Sequence, residues 1–187
     1  MTDLCGDAEL QALMAAVERD GGDDLVQVDR LLARHPDDPR LHFLRGSILA
    51  GIGRSIEALA ALKAAVALAP DFAIARFQLG FFQLTSGEAG EALSTWGPLA
   101  LLPTDHYLRL FVGGLTFLIR DEFPDAVAHL RRGMAANTEN APLNRDMQLI
   151  VDRVGELAED APATDDAAPA SATSLLLGQL TGGGRAH

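Results

Sequence analysis

The chain has one cysteine, Cys5, one tryptophan, Trp96, and one tyrosine, Tyr107, and aromatic residues make up 5% of its 187 positions. A lone thiol excludes an internal disulfide and any site built on two cysteines, and it fits a reducing compartment. No run of about 18 apolar residues occurs, the length a helix needs to cross a bilayer. The richest segment, 56–69, is interrupted by Glu57 and Lys63. Asp3, Asp7 and Glu9 stand where a secretory signal would place basic residues and an apolar core. The expectation is a soluble, cytoplasmic protein. A net charge of −11 and an isoelectric point near 4.7 repel phosphate backbones and anionic lipid, which argues against nucleic acid or membrane insertion. Basic or apolar protein segments suit it better. With 48% apolar residues the chain can bury a core, so wholesale disorder is excluded.

Chemistry-bearing patterns are also missing. His35, His42, His106, His129 and His187 are scattered, with no pair at the spacing of a helical zinc site. Gly182, Gly183 and Gly184 lack the lysine and hydroxyl residue of a phosphate loop. The aspartate pairs Asp23–Asp24, Asp37–Asp38 and Asp165–Asp166 read as helix caps, turns and linker charge rather than as paired acid and base. The sequence is therefore read as that of a non-enzyme with no catalytic residue, no metal ligand and no cofactor.

What is present is a period. Gly46, Gly80 and Gly114 stand 34 residues apart, as do Ala58, Ala92 and Ala126, Phe43, Phe77 and Phe111, and the acidic series Glu57, Glu91 and Asp125. The first unit, 39–72, predicts helices over 41–52 and 55–68, ended by Gly51 and Gly53 and by Pro70. Leu62 and Ala65 follow Ala58 at spacings of four and seven, the stripe of a helix buried on one side. The second unit, 73–106, repeats the scheme with Leu79, Gly80, Gly87, Ala92 and Trp96, but Gly97 and Pro98 should kink or break its second helix. The third, 107–140, has Gly114, Phe117, Phe123, Ala126 and Leu130. Upstream, residues 1–38 read as a degenerate helix pair, with a helix from Ala8 to Arg19, Gly21 and Gly22 as the turn, Asp23 or Asp24 as the next cap, and Leu25 to Leu32 as the second helix. Downstream, Leu143, Met147, Ile150, Val154 and Leu157 form the apolar stripe of a terminal helix, 141–158, with Asn144, Arg145, Asp152 and Glu156 on the other face.

The small residue in each helix and the acidic residue before the alanine resemble the tetratricopeptide repeat, a unit of two helices and a turn. The resemblance implies an all-α fold: a right-handed α-α superhelix with a C-terminal capping helix and a flexible tail. One departure is Arg45, at a site where the family usually has leucine; Leu44 would then supply the packing while the Arg45 stem lies along apolar surface. In a superhelix of this family the first helix of each unit lines the concave face. That face would carry Arg40, Phe43, Ser47 and Ala50, then Ile74, Phe77, Phe81 and Leu84, then Leu108, Phe111, Leu115 and Leu118. The implied function is an adaptor or chaperone holding an apolar or amphipathic peptide in the groove. The lysine and asparagine clamp that some members close on a terminal carboxylate is replaced by Phe, Ser, Gln and Val. In layout the chain also looks similar to chaperones of type III secretion translocators.

From Ala158 to Thr173 the chain turns to alanine, proline, aspartate and threonine, the composition of a flexible acidic linker within the tail 159–187. A short apolar island, 174–180, follows, with Leu175, Leu176, Leu177 and Leu180. It reads as a docking motif that could occupy the groove of its own chain or of a neighbouring copy, which makes a self-assembling structural protein, a homo-oligomer held by its tail, the alternative function.

Overall fold

The structure, a computed structural model, describes residues 4–17 and 23–160, with side chains described as far as residue 157. The tail motif at Leu175, Leu176, Leu177 and Leu180 lies outside the described residues. All regular structure among those residues is helical. The chain divides into two compact units, Met1–Phe82 and Gln83–His187, and the boundary falls inside a helix rather than between predicted repeats.

The first unit holds α1 (Asp7–Val17), α2 (Asp24–Arg34), α3 (Pro39–Gly51), α4 (Ser55–Leu68) and most of α5 (Ala73–Thr85). Cys5, Leu13, Val28, Leu31 and Leu41 pack into one core cluster joining α1, α2 and α3, with Leu44 and Ile48 against it. Leu49, Ala58 and Ala61 form a second, covered by Leu25, Ala50 and Phe82. Each buried leucine or valine contributes about 1.5–3 kcal/mol on leaving water. Pro39 at the first turn and Asp38 before it open α3 as expected of these residues. Asp23 occupies the cap position of α2 but its side chain makes no capping bond, a correction to its expected role.

The second unit holds the end of α5, α6 (Ala89–Trp96), a 3-10 turn (Gly97–Leu101), α7 (Tyr107–Ile119), α8 (Phe123–Ala136) and α9 (Ala141–Asp160). The α-helix stops at Trp96, and Pro98, which cannot donate to a continuing ladder, sits inside the tighter turn that follows. The join between α8 and α9 is built from asparagines. Buried Asn137 accepts from the backbone N–H of Glu139 and Asn140 and donates to Asn144 Oδ1 at 2.8 Å, and Asn144 donates to the Met134 and Asn137 carbonyls. Asn144 thus belongs to the junction and not to the outer face of α9 where the periodicity puts it.

Two features recur at the repeat period. Each hairpin turn closes in the same way: Arg54, Glu88 and Glu122 donate back to the carbonyls of Leu49, Gln83 and Phe117, while Gly53, Gly87 and Asp121 donate to Ala50, Leu84 and Leu118. These paired bonds are the Schellman motif, which puts the penultimate residue in the left-handed region, at φ of 76° for Gly53, 87° for Gly87 and 59° for Asp121. The second feature is close helix approach. A Cβ on Gly46 would lie 2.7 Å from Leu62 Cγ and 3.2 Å from the Leu62 nitrogen, and one on Gly114 would lie 2.8 Å from Leu130 and 3.1 Å from the Ala126 carbonyl oxygen. Small residues are needed there because the facing helix leaves no room.

The N-terminal segment is tied down by one buried carboxylate. Asp38 caps α3 through the Arg40 N–H at 2.9 Å, accepts the Cys5 N–H at 3.0 Å, and takes Arg40 Nη2 at 2.8 Å. Arg40 in turn reaches the Cys5 carbonyl at 2.6 Å and Asp7 at 3.0 Å. Burial alone would raise the Asp38 pKa, but the hydrogen bonds from Arg40 and Cys5 outweigh it and hold the carboxyl below its ordinary value.

Three alanine substitutions separate these constraints in urea unfolding. Gly114→Ala should cost about 1–3 kcal/mol by overpacking, Gly53→Ala about 1–2 kcal/mol by left-handed strain, and Gly90→Ala, whose Cβ meets nothing within 4 Å, should add up to about 1 kcal/mol as a better helix former. A second prediction concerns acid. A carboxyl whose folded pKa lies below its unfolded value of about 3.9 stabilises the fold above that value and loses the contribution as pH falls through the folded pKa. Asp38→Ala should cost roughly 2–4 kcal/mol at neutral pH, a cap plus a charged hydrogen bond, and Asp38→Asn should flatten the fall in stability on acidification below about pH 4. An unchanged acid slope in Asp38→Asn would show that other carboxylates set it.

Candidate functional site

The twelve residues expected on the groove face divide by burial, with Ala50 half-buried against a core cluster. Phe77, Leu84, Leu108, Phe111, Leu115 and Leu118 are each exposed by 1% or less. Side chains with no accessible surface cannot touch a partner, so the groove assignment is corrected for these six, which are core. Phe111 shows the cause. Its ring lies against Gly133 of α8, where an added Cβ would approach Phe111 Cδ1 to 2.5 Å, and its neighbours Tyr107 and Gly114 belong to the same helix. Residues three apart on a helix differ in direction by about 60°, less than the roughly 100° width of a buried stripe, so Phe111 and Gly114 both face the partner helix. Gly133 stands at the repeat position held by Ala65 and Leu99, both buried, and its missing side chain makes the space that the ring fills.

Phe43, Ser47, Ile74 and Phe81 are half-buried, and all four lie in the first unit. Phe43 meets Phe72 edge to face with centroids 5.5 Å apart, and Phe81 stacks on buried Phe77 at 6.1 Å. The Ser47 hydroxyl donates to the Phe43 carbonyl at 3.0 Å, a local helix bond that leaves it little to offer a ligand. Arg40, expected on the same face, is committed to Asp38, Asp7 and the Cys5 carbonyl. Arg45 does not merely lie on apolar surface: its Nε donates to Asp29 at 2.7 Å and its Nη2 stands 3.8 Å from Glu57, so it joins α2 and α4, while Leu44 packs on the core as expected.

Other features had little signal in the sequence. Ile56 and Leu101 are about nine-tenths exposed, at 88% and 90%, in positions that repeat periodicity treats as ordinary helix and turn. Gln83 is buried at the end of α5, taking the Thr95 hydroxyl at 2.7 Å and donating to Glu91 at 3.2 Å. Most unexpected is the assembly of Cys5, Glu9 and His35, whose ligand atoms all lie within 4.8 Å of one another. The Cys5 thiol is buried and its Sγ stands 3.7 Å from Glu9 Oε2. Burial first, and then the Glu9 carboxylate, push the thiol pKa up. The spacing between Cys5 and Glu9 is legible as one helical turn, but His35 comes from the far end of another helix.

Among the described residues no helix is long and apolar enough to cross a membrane. No protein-family model and no curated protein sequence matches the chain. Solved structures match in fold. One, described as the MamA RS-1 ArsTM double mutant, is 14% identical with a TM-score of 0.56 over 83% of this chain and 87% of its own. Another, MamA 41-end from Desulfovibrio magneticus RS-1, is 17% identical with a TM-score of 0.54 over 82% of this chain and 91% of its own. At such identities the likeness is one of architecture, and it supports the tetratricopeptide-like, all-α fold to which the 34-residue period, the close-packed glycines and the repeated hairpin turns point.

Proposed function

We propose that the protein is a non-enzymatic interaction scaffold that holds an apolar or amphipathic peptide segment against half-exposed side chains of its first unit. The observation that carries this reading is the placement of Phe43, Ile74 and Phe81, large apolar residues held by a folded helical unit yet left partly accessible. Phe43 is braced by Phe72, so its ring loses little freedom on contact, the property of an aromatic anchor. A net charge of −11 favours a segment that carries basic residues on its polar face. The reading is narrower than a groove running through all three repeats, because the corresponding side chains of the third, Leu108, Phe111, Leu115 and Leu118, are core.

Fluorescence polarisation against a panel of labelled basic amphipathic peptides tests it. Peptides bound by the intact chain should bind Phe43→Ser or Ile74→Ser at least tenfold more weakly, about 1.4 kcal/mol, with helical circular dichroism retained. Phe111→Ser should instead lose helical content, since it removes a buried ring. Equal affinity in the Phe43 and Ile74 variants, or no binding by the intact chain, would refute the proposal.

A further inference from the structure

The N-terminal end of the first unit gathers three different metal-ligating groups. Cys5 precedes α1, Glu9 lies in its first turn, and His35 is the residue that ends α2. Sequence spacing pairs the first two only, since an interval of four brings side chains to one face of a helix; here the Leu10 N–H donates to the Gly6 carbonyl, carrying helical geometry back toward Cys5. His35 arrives because Leu13, Val28 and Leu31 pack α1 on α2 in the same core cluster that buries Cys5. From these positions we infer that Cys5 Sγ, Glu9 Oε2 and an imidazole nitrogen of His35 form a binding site for one divalent transition-metal ion of the zinc class.

The donor set has the right chemistry. Thiolate with imidazole and one carboxylate oxygen selects zinc or cobalt over calcium and magnesium, which take oxygen ligands. Three protein ligands leave a fourth tetrahedral position for water. Zinc–ligand bonds of about 2.0–2.3 Å place tetrahedral donors roughly 3.3–3.8 Å apart, so donors that now lie within 4.8 Å need to close by about 1 Å, within the reach of side-chain rotation. The Sγ is 3.7 Å from Glu9 Oε2 already.

The surroundings are arranged to hold such a set. Arg34 Nη2 donates to Glu9 Oε1 at 3.0 Å, which orients the carboxylate and leaves Oε2 toward the sulfur. Asp38 fixes the Cys5 backbone N–H and Arg40 its carbonyl, so the residue that carries the thiol is anchored on both sides. Outer hydrogen bonds of this kind hold first-coordination ligands in place in metal proteins. Binding converts the thiol to thiolate, and the proton leaves to solvent. The ion would link the start of α1 to the end of α2.

Cobalt(II) alone, titrated into the full chain after chelator treatment and dialysis, is the probe. The expected result is one ion per chain with a thiolate-to-cobalt charge-transfer band, displaced by zinc. Cys5→Ser should remove the band, and Glu9→Gln and His35→Gln should each weaken binding at least tenfold, since even outer partners of a ligand are worth 10–100-fold. Circular dichroism of each variant checks that the helices survive; the Gln variants keep the buried thiol in place if Cys5→Ser does not. Cobalt that binds without the band, or a band undiminished in both Gln variants, overturns the assignment.

Discussion

Close approach of paired helices is the constraint on which the other features depend. At Gly46 and Gly114 the backbone of one helix lies against the leucine of the next, Leu62 or Leu130, at distances that leave no room for a methyl group. Interiors pack at crystal-like density, so a helix pair this close dictates which neighbouring side chains remain inside. Ala58, Ala92 and Ala126, the small residues of the second helices, are fully buried. The turn residues Gly53, Gly87 and Asp121 take the left-handed conformation that closes these hairpin turns. Asp121 does this as an aspartate, a residue that tolerates the left-handed region better than most.

That packing also limits the surface available to a partner. A helix wide enough to bury a glycine at one position buries the phenylalanine three residues earlier, provided the opposite helix supplies a hole, and Gly133 supplies it for Phe111. In the first unit Phe43 stands on the corresponding helix but keeps partial exposure, braced by Phe72. Equivalent repeat positions thus have different fates. Phe111 lies against Gly133, whereas Phe43 stands beside Phe72 in a unit that has Ala65 at the matching repeat position.

Much of the fold is legible in the residues. The α3 and α4 hairpin, the end of α6 at Gly97–Pro98, the start of α7 at Tyr107 and the long terminal helix from Ala141 all follow from period, caps and breakers. The site is less legible. Periodicity gives a direction around a helix to within a fraction of a turn, and that margin separates a solvated Phe111 from a buried one. Asn144 and Arg45 differ from expectation for a related reason: a polar residue is assigned to solvent unless its partner is known, and their partners, Met134 of α8, Asn137 at its end and Asp29 of α2, lie outside their own helices.

The amino-acid order alone determines a string of helix pairs at a 34-residue period, with a small residue wherever two helices touch, because local propensity and hydrophobic spacing act over a few turns of chain. Tertiary structure decides which aromatic rings reach solvent and that Cys5, Glu9 and His35 meet. Both depend on volumes and distances between segments far apart in the chain, and no local pattern records the shape of the cavity that a distant glycine leaves open.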